Sequence, residues 1–142
     1  MTVAAILQGK SGEVISIEGH ATVLDAVTLL AERRIGCLPV IDDGRVVGIF
    51  SERDVVYRLA RDGASALDAP VASVMTSPAV TIGADTAAMA ALSLMTKRRI
   101  RHLPVVEQER MVGFVSIGDI VKYRIDRIEA EAASLRDYIQ NA

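Results

Sequence analysis

Apolar runs and amphipathic segments alternate along the chain, and the same alternation occurs twice. Residues 14–17 and 80–82 are short runs rich in β-branched side chains, which favour strands. Residues 22–34 and 86–98 place apolar side chains at helical spacing, which indicates amphipathic helices. The pattern therefore predicts a strand followed by a helix in each half of the chain.

A β-hairpin is predicted after each of these helices. Residues 37–41 and 46–50 are apolar runs that flank Asp42-Asp43-Gly44, a sequence typical of a tight turn between antiparallel strands. The corresponding turn of the second half lies at residues 107–109, where the sequence is less typical of a turn. Both halves thus continue with two strands after the helix.

A second helix is predicted directly after each hairpin. Ser51 stands where an N-cap is expected, and Asp54 follows three positions later, which is close to a capping box. Ser116 and Asp119 repeat this spacing in the second half. Each half is therefore predicted to have the element order β-α-β-β-α.

The two halves are copies of one unit. With a shift of 65 residues, residues 14–58 lie over residues 79–123 without a gap, and 15 of the 45 pairs are identical. Chance gives roughly three identities for ~20 residue types at uneven usage. A unit of this size cannot bury a sufficient core alone, so we expect the two units to pack sheet against sheet as a pseudo-twofold pair in an α+β fold.

The duplication extends to the leader segment before each unit. Residues 3–7 resemble residues 71–75 at a shift of 68, so three extra residues lie in the first leader, within residues 8–13. They form a predicted flexible loop that carries Lys10. The domains predicted from this arrangement are 1–62, a first repeat with an N-terminal leader helix, 63–124, a second repeat with its linker, and 125–142, a C-terminal helical extension.

Composition and charge exclude several classes of protein. The 142 residues include 16 Lys+Arg and 18 Asp+Glu, for a net charge of −2, which excludes the broad basic surface of a non-specific nucleic-acid binder. No apolar run approaches the ~20 residues of a membrane span, and the chain starts without a secretory signal, so we expect a cytoplasmic protein without membrane contact. The lone Cys37 excludes an internal disulfide, and no catalytic or metal-ligating cluster is evident, so we expect neither enzymatic activity nor a metal cofactor.

The C-terminal segment has the pattern of a coiled-coil helix. Apolar residues recur from position 121 at steps of 4, 3, 4, 3 and 4, which is a heptad seam with charged residues on its flanks. The seam residues are Val121, Ile125, Ile128, Ala132, Leu135 and Ile139. Because an isolated helix of this length is marginal in water, we expect it either to fold back on its own domain or, as the favoured alternative, to pair with a second chain as a homodimer.

The order of these elements resembles a known family. A Leu-Pro-Val strand, an Asp-Gly turn, a Val-Val-Gly-Ile strand and a Ser-x-x-Asp helix start together resemble the CBS domain, the cystathionine-β-synthase repeat, over residues 3–123 and twice in tandem. A tandem pair of this kind is called a Bateman module, and the chain is similar to small stand-alone bacterial members. The resemblance implies that adenosine-containing ligands bind in the cleft between the repeats, and that modules associate as flat dimers.

The carboxylate at each predicted helix start suits a nucleotide. A carboxylate accepts the two hydrogen bonds of vicinal ribose hydroxyls, while a hydroxyl and the free N–H groups of a helix start suit a phosphate. The resemblance implies that Asp54 and Asp119 bind ribose and that Ser51 and Ser116 meet the phosphate. The residues alone also fit plain N-caps with acidic side chains favoured by the helix dipole.

The repeats differ at the position where a phosphate is expected. Arg101 and His102 precede Leu103-Pro104, whereas the first repeat has Gly36 and Cys37 there. In family members that bind AMP, basic residues at this pair contact the phosphate, so the resemblance favours the site of the second repeat. The alternatives are a solvated rim charge for Arg101 and a structural role for His102. The basic runs 33–34 and 97–99 end the predicted helices and are interpreted mainly as solvated charges.

The resemblance also implies that each site is closed by the leader of the partner repeat, by residues 10–15 in one case and 75–80 in the other. Lys10 is then either a phosphate ligand or a surface lysine. The main predicted site comprises Lys10, Val14, Ile15, Arg101, His102, Leu103, Pro104, Phe114, Ser116 and Asp119. The weaker predicted site comprises Cys37, Leu38, Ile49, Ser51, Asp54, Thr76, Pro78 and Val80.

The favoured hypothesis is a non-catalytic sensor that binds an adenine nucleotide and signals to a protein partner that the sequence does not identify. AMP is the first choice of ligand, with ADP and ATP as related possibilities and NADH or another dinucleotide as an alternative. A ligand-free oligomeric scaffold that acts through the C-terminal helix is the alternative of a different class. Nucleic acid is a distant third interpretation.

Overall fold

The chain forms two small α/β units and a long C-terminal helix. The computed structural model describes residues 1–10 and 12–141, so Ser11 of the predicted loop and Ala142 of the predicted extension lie outside the described residues. The helices are α1 (Val3–Gly9), α2 (Val23–Arg33), α3 (Glu52–Asp62), α4 (Ala88–Arg98) and α5 (Ile117–Asn141). The strands are β1 (Cys37–Asp42), β2 (Arg45–Ser51), β3 (His102–Glu107) and β4 (Arg110–Ser116). Two 3₁₀ turns, Gly63–Asp68 and Val71–Ser73, lie between α3 and α4.

Each repeat contains the predicted hairpin. β1 pairs with β2 and β3 with β4, antiparallel and in the same register 65 positions apart. Asp43 and Gly44 have φ values of 52° and 77°, as the predicted tight turn requires. Gln108 and Glu109 adopt the same left-handed conformation at φ 50° and 67° without a glycine, which explains why the second turn is hard to recognise in the sequence.

The apolar runs predicted as strands at residues 14–17 and 80–82 form only single bridges. Ile17 pairs in parallel with Val40, and Ile82 pairs with Val105. The chain turns away immediately afterwards, because the backbone N–H of Ala21 bonds to the carbonyl of Glu18 and that of Thr86 to the carbonyl of Gly83. The predicted strands at these positions are therefore shorter than expected.

The helices begin and end where their capping residues allow. α2 starts after Thr22, whose side chain forms a full capping box with Asp25, and this agrees with the prediction. α4 starts two residues later than predicted, after Ala87, whose methyl side chain cannot accept a hydrogen bond from the helix start. α3 starts at the predicted capping box of Ser51 and Asp54.

The two leaders are exchanged between the cores. Val3 and Ile6 of α1 are buried in the core of the second repeat, and the N–H of Val3 donates to the carbonyl of Thr86 over 2.9 Å. Val71 and Val74, which precede the second repeat, are buried in the core of the first. Each core is thus built from both halves of the chain, which places each leader beside the helix start of the other repeat.

α5 starts in the second repeat and then leaves it. Ile120 is buried against the second core and Tyr123 packs on it, whereas every described residue from 124 to 141 is exposed. Within the described part of the chain, no helix has both the length and the apolar character required to cross a bilayer.

Candidate functional site

Two clefts lie between the repeats, one beside each helix start. The first cleft, about 510 Å³ in volume, is lined by Ser51 and Asp54 among others. The second cleft, about 330 Å³, is lined by Lys10 and Ser116. Cys37 and His102 occupy equivalent positions in the two repeats, and both side chains line both clefts. The two clefts therefore adjoin at the centre of the molecule.

The carboxylate of the first cleft is held on both oxygens. Asp54 Oδ2 accepts hydrogen bonds from the backbone N–H of Ser51 at 2.9 Å and from its hydroxyl at 3.1 Å. Asp54 Oδ1 accepts from the hydroxyl of Thr76 at 3.0 Å. The carboxylate is thereby fixed in orientation at the N-terminus of α3, as a ligand-binding group requires.

The leader that closes the first cleft is paired with β2 through its backbone. Thr76 and Ile49 exchange two backbone hydrogen bonds of 2.9 and 2.8 Å. A Cβ on Gly48 would lie 2.8 Å from the carbonyl oxygen of Thr76 and 2.6 Å from the sulfur of Met75, so only glycine allows this close approach. The wall formed by the leader is therefore fixed to the sheet.

Four arginines line the first cleft together with His102. They are Arg53, Arg98, Arg99 and Arg101. Among the described residues, none of these four side chains forms an ion pair or donates a hydrogen bond. A guanidinium presents a planar fork of donors that matches phosphate oxygens. The cleft thus combines the fixed carboxylate of Asp54 and a second carboxylate, Glu52, with a set of arginines that form no ion pair in the described structure.

The placement of Arg101 differs from the expectation. Arg101 was expected beside Asp119 of its own repeat, but it lines the first cleft with Asp54. The backbone carbonyl of Arg101 accepts a hydrogen bond from the N–H of Ile117 at the start of α5, over 2.8 Å, so Arg101 lies beside the helix start of its own repeat and also lines the cleft of the other. Arg98 and Arg99, interpreted from the sequence as solvated charges, lie on the same turn and line the same cleft.

Arg99 is held in an unusual backbone conformation. It ends α4 in the left-handed region at φ 55°, and the matching Arg34 ends α2 at φ 53°. This conformation favours glycine, because a Cβ is disfavoured there. Only Arg99 of the pair is among the residues that line the first cleft.

The second cleft is closed by an ion pair. Lys10 Nζ lies 2.9 Å from Asp119 Oδ2 and also donates to the carbonyl of Phe114 at 2.8 Å. The same carboxylate oxygen accepts from the backbone N–H of Ser116 at 2.8 Å. Burial raises the pKa of Asp119, but the hydrogen bonds from Lys10 and Ser116 outweigh it and lower the pKa below its ordinary value. The carboxylate expected to bind ribose is thus occupied by a lysine.

His102 and Cys37, which separate the clefts, are both held in their uncharged forms. Burial lowers the pKa of His102, and the nearby Lys10 cation lowers it further. Its ring stacks on Phe114 with the centroids 5.4 Å apart. Burial raises the pKa of Cys37 to about 12, with the charge of Asp54 adding to the effect. His102 can therefore donate a hydrogen bond to a ligand, while the thiol is unreactive.

Most of the predicted site residues lie at one of the two clefts. Those at the first cleft are Cys37, Ile49, Ser51, Asp54, Thr76, Pro78 and Val80. Those at the second are Lys10, Val14, Ile15, His102, Phe114 and Ser116, with Asp119 bonded at its edge. Leu38 and Leu103 are instead fully buried in the two cores, and Pro104 is also fully buried. Arg53 was not predicted, and the sequence offers no signal for it beyond its position next to Asp54.

Comparison with known proteins identifies the repeats. Residues 10–61 and 71–126 match the CBS domain family. The mitochondrial CBS domain-containing protein CBSX3 of Arabidopsis thaliana is 36% identical over 124 residues, which cover 84% of this chain and 60% of that relative. The crystal structure of a CBS-domain protein from Agrobacterium tumefaciens has a TM-score of 0.81 and 36% identity, and the match covers 87% of this chain and 92% of that one.

A further solved structure contains ligands. The CBS domain pair of protein MJ0100, crystallised with 5′-methylthioadenosine and S-adenosyl-L-methionine, has a TM-score of 0.77 and 26% identity. The match covers 89% of this chain and 98% of that one. The structure agrees with the family match, because each of the two matched segments contains one of the two hairpins and the leaders are exchanged between them. This chain belongs to the CBS domain family and carries two CBS repeats in tandem.

Proposed function

We propose that this protein is a non-catalytic regulatory module that binds an adenine nucleotide, AMP as first choice, in the first cleft. The observation that carries the proposal is the composition of that cleft. Asp54 is fixed at a helix start, and four arginines without ion pairs in the described structure lie around the same space. A carboxylate for ribose and several guanidinium groups for phosphate form a complementary pair of subsites.

The remaining walls suit an adenine ring. Ile49, Pro78 and Val80 line the first cleft as apolar groups next to the fixed carboxylate. The MJ0100 pair was crystallised with two compounds that contain an adenosine group, which supports adenosine as the common element. Neither of those compounds carries a phosphate, and the arginines of this chain favour an anionic ligand over both.

The second cleft is proposed as a weaker site. Ribose binding by Asp119 requires Lys10 to leave the carboxylate, and only one cation, Lys10, lines this cleft in the described structure. This reverses the ranking expected from the sequence, which assigned Arg101 to the second site. Lys10 is retained as a phosphate ligand for the case in which a nucleotide displaces it from Asp119.

A dinucleotide such as NADH is the second candidate ligand. The clefts adjoin at Cys37 and His102, so a ligand with two nucleotide halves has space in both. Arg101 and Lys10 then hold the pyrophosphate from opposite sides. ADP and ATP are accommodated by the same arginines as AMP.

A regulatory role requires that the ligand bind two arrangements of the module with different affinities. A ligand shifts an equilibrium between two arrangements only by its difference in affinity for them, and a protein partner then recognises the favoured arrangement. We propose that the partner is another cytoplasmic protein and that the module acts as a homodimer. A ligand-free scaffold is the remaining alternative, and thermal unfolding with and without nucleotide distinguishes it from a sensor.

Thermal unfolding of nucleotide-stripped protein tests the proposal. AMP, ADP, ATP, NADH and S-adenosylmethionine are each added, and at ~100 times the dissociation constant a ligand stabilises the native state by about 2.7 kcal/mol. We expect a clear shift with AMP that is lost in Asp54→Asn and reduced in Arg101→Gln, and that survives in Asp119→Asn.

Three results would contradict the proposal. A shift that survives in Asp54→Asn but disappears in Asp119→Asn assigns the nucleotide to the second cleft. A larger shift with NADH than with AMP favours the dinucleotide. The absence of any shift favours the scaffold. The unfolding temperature of each variant without ligand is the control for damage to the helix caps.

A further inference from the structure

The free part of α5 presents an apolar face that nothing in the described structure covers. Val121, Ile125, Ile128, Leu135 and Ile139 are 47% to 65% exposed. Residues 124–141 extend the helix by about 27 Å at 1.5 Å per residue. An isolated helix with so few contacts is marginal in water. Its stability therefore depends on a partner.

The apolar residues occupy one narrow face. In heptad notation Val121, Ile128 and Leu135 are at position d, and Ile125, Ala132 and Ile139 are at position a. Ile120 and Tyr123, which pack on the second repeat, fall at c and f on the opposite side of the helix. A partner helix can therefore reach the a/d face without meeting the body of its own repeat.

The charges beside the seam distinguish the two orientations of a helix pair. In a parallel pair, position g of one helix faces position e of the next heptad in the other. Arg124 at g then faces Glu129 at e, and Glu131 at g faces Arg136 at e, so all four symmetry-related contacts join opposite charges.

An antiparallel pair with the six apolar layers aligned joins like charges. Position e then faces e, and g faces g. Glu129 meets Glu129 of the second copy, Glu131 meets Glu131, and Lys122 meets Arg136. The flanking charges therefore favour the parallel orientation.

The residues at positions e and g also favour an assembly of two helices over a larger one. Assemblies of three or more helices bury positions e and g along with a and d, whereas a strict a/d stripe is the seam of a pair. Here the e and g positions beside the seam are Lys122, Arg124, Glu129, Glu131, Arg136 and Tyr138, and five of these six side chains are charged, which disfavours their burial in a larger assembly. Glu131 already lies 3.9 Å from Arg127 of its own helix, a contact that does not prevent it from facing a second arginine.

We propose that α5 of one chain pairs with α5 of a second copy as a parallel two-stranded coiled coil over residues 121–139, with Arg124 facing Glu129 and Glu131 facing Arg136. This inference rests on the homodimer of the proposed function and specifies its interface and orientation. It does not depend on nucleotide binding, because the seam and both clefts share no residue.

Cross-linking through an introduced cysteine tests the orientation in the full chain. In a parallel pair, Leu135→Cys places two thiols opposite each other at one d layer, and mild oxidation is expected to convert the dimer to a covalent one. Asp137→Cys lies at position f, on the outer face, and is the matched control that is expected to remain uncross-linked. The unmodified protein controls for Cys37, which is buried.

Sedimentation of charge variants tests the interface. Arg124→Glu combined with Arg136→Glu makes every g–e contact repulsive and is expected to raise the dimer dissociation constant at least tenfold. Mixing this variant with the complementary Glu129→Lys and Glu131→Lys variant is expected to restore the dimer, which excludes loss of folding as the cause.

Four results would overturn the inference. A dimer in which Leu135→Cys fails to cross-link but mixed Ile125→Cys and Leu135→Cys chains do so is antiparallel, which leaves the homodimer intact. A trimer, or a dimer unaffected by Ile128→Arg, has a different interface. A monomeric wild-type chain overturns the homodimer as well, while AMP-dependent stabilisation is measured separately and stands or falls alone.

Discussion

The two clefts share one carboxylate arrangement but are closed by different groups. Ile49 and Phe114 are equivalent residues, and each carbonyl accepts a hydrogen bond from the leader of the other repeat. In the first cleft the donor is the backbone N–H of Thr76, whose hydroxyl also bonds to Asp54. In the second cleft a single lysine side chain, Lys10, makes both contacts.

This difference arises in the leaders and not in the repeats. A pair of backbone hydrogen bonds holds the first wall against the sheet, whereas a lysine on a flexible stem can leave its carboxylate at low cost, since exposed ion pairs contribute about 0–1 kcal/mol. The asymmetry shows that duplicated sequence need not produce duplicated sites. The carboxylate of the first cleft accepts only neutral donors, from Ser51 and Thr76, while that of the second is paired with the chain's own lysine.

The largest expected effect comes from Gly48, the glycine under the leader of the first cleft. Gly48→Ala places a methyl group 2.8 Å from the backbone oxygen of Thr76, which cannot move without breaking its pairing with Ile49. We expect a loss of about 2 kcal/mol in unfolding free energy and loss of AMP binding. Denaturant unfolding and ligand titration measure the two effects.

Gly113→Ala is the matched control for that substitution. The three atoms nearest to its methyl group would all belong to the flexible side chain of Leu7, the closest at 2.7 Å, so we expect less than about 1 kcal/mol of destabilisation. Equal losses for the two variants would contradict the idea that only the first leader is fixed by its backbone.

Glycine substitutions at the two arginines with a left-handed backbone conformation distinguish an effect on ligand affinity from an effect on stability. Arg99→Gly removes a cation from the first cleft and relieves an unfavourable φ of 55°. We expect about tenfold weaker AMP binding together with a gain of about 0.5 kcal/mol in stability, because glycine accepts this conformation but is more flexible when unfolded. Isothermal titration and thermal unfolding check both signs.

Arg34→Gly makes the same backbone change in the first repeat. Arg34 has a φ of 53° and lies at neither cleft, so we expect the stability gain without the loss of affinity. A loss of AMP affinity in Arg34→Gly equal to that in Arg99→Gly would show that the cleft arginines are not specific phosphate ligands.

Removal of the closing lysine is expected to expose the second cleft. Lys10→Met breaks the pair with Asp119 at little cost in stability, about 0–1 kcal/mol, because the lysine is 40% exposed. A second, weaker AMP binding event is expected in calorimetric titration. Thr76→Val is the matched change in the first cleft, where the backbone pairing remains and no new event is expected.

The smallest effect is a pH dependence carried by His102. Its pKa in the folded protein lies below the ordinary value of 6.5, so the unfolded chain binds the proton more readily. The stability associated with this group is fully present above pH 6.5 and declines as the pH falls from 6.5 towards the folded pKa. Asp119 contributes separately and only at lower pH, because its lowered pKa starts from 3.8.

Unfolding of His102→Gln between pH 7 and 5 checks this assignment. The variant is expected to lose less stability over that range than the wild type. Proton NMR of His102 gives an independent measure, and AMP is expected to raise the pKa of His102. A slope unchanged by His102→Gln would contradict the assignment.

Local sequence patterns predicted the repeat unit well. The Ser51 and Asp54 capping box, the Asp43-Gly44 turn and the antiparallel pairing of the strands that flank it follow from short-range rules that the structure confirms. The family resemblance is also confirmed by the matched segments. These features depend on contacts within a few residues, and the chain carries them twice.

Local sequence patterns did not predict which of the two clefts the basic side chains line. Arg101 follows α4 in the sequence of the second repeat, yet it lines the first cleft together with Ser51 and Asp54 of the first repeat. Likewise, no local pattern shows that Lys10 bonds to Asp119, 109 positions away. Such contacts depend on the relative placement of the repeats.

The continuity of α5 has a mechanical consequence. The helix begins directly after Ser116, includes Asp119 and ends at Asn141, so the carboxylate of the second cleft and the far end of the chain belong to one continuous helix. Its 25 residues span about 37 Å, so a tilt of about 5° at the base would displace the far end by about 3 Å. A change in the contact between Lys10 and Asp119 would therefore act on the first turn of this helix, where a small rotation produces its largest displacement at the opposite end.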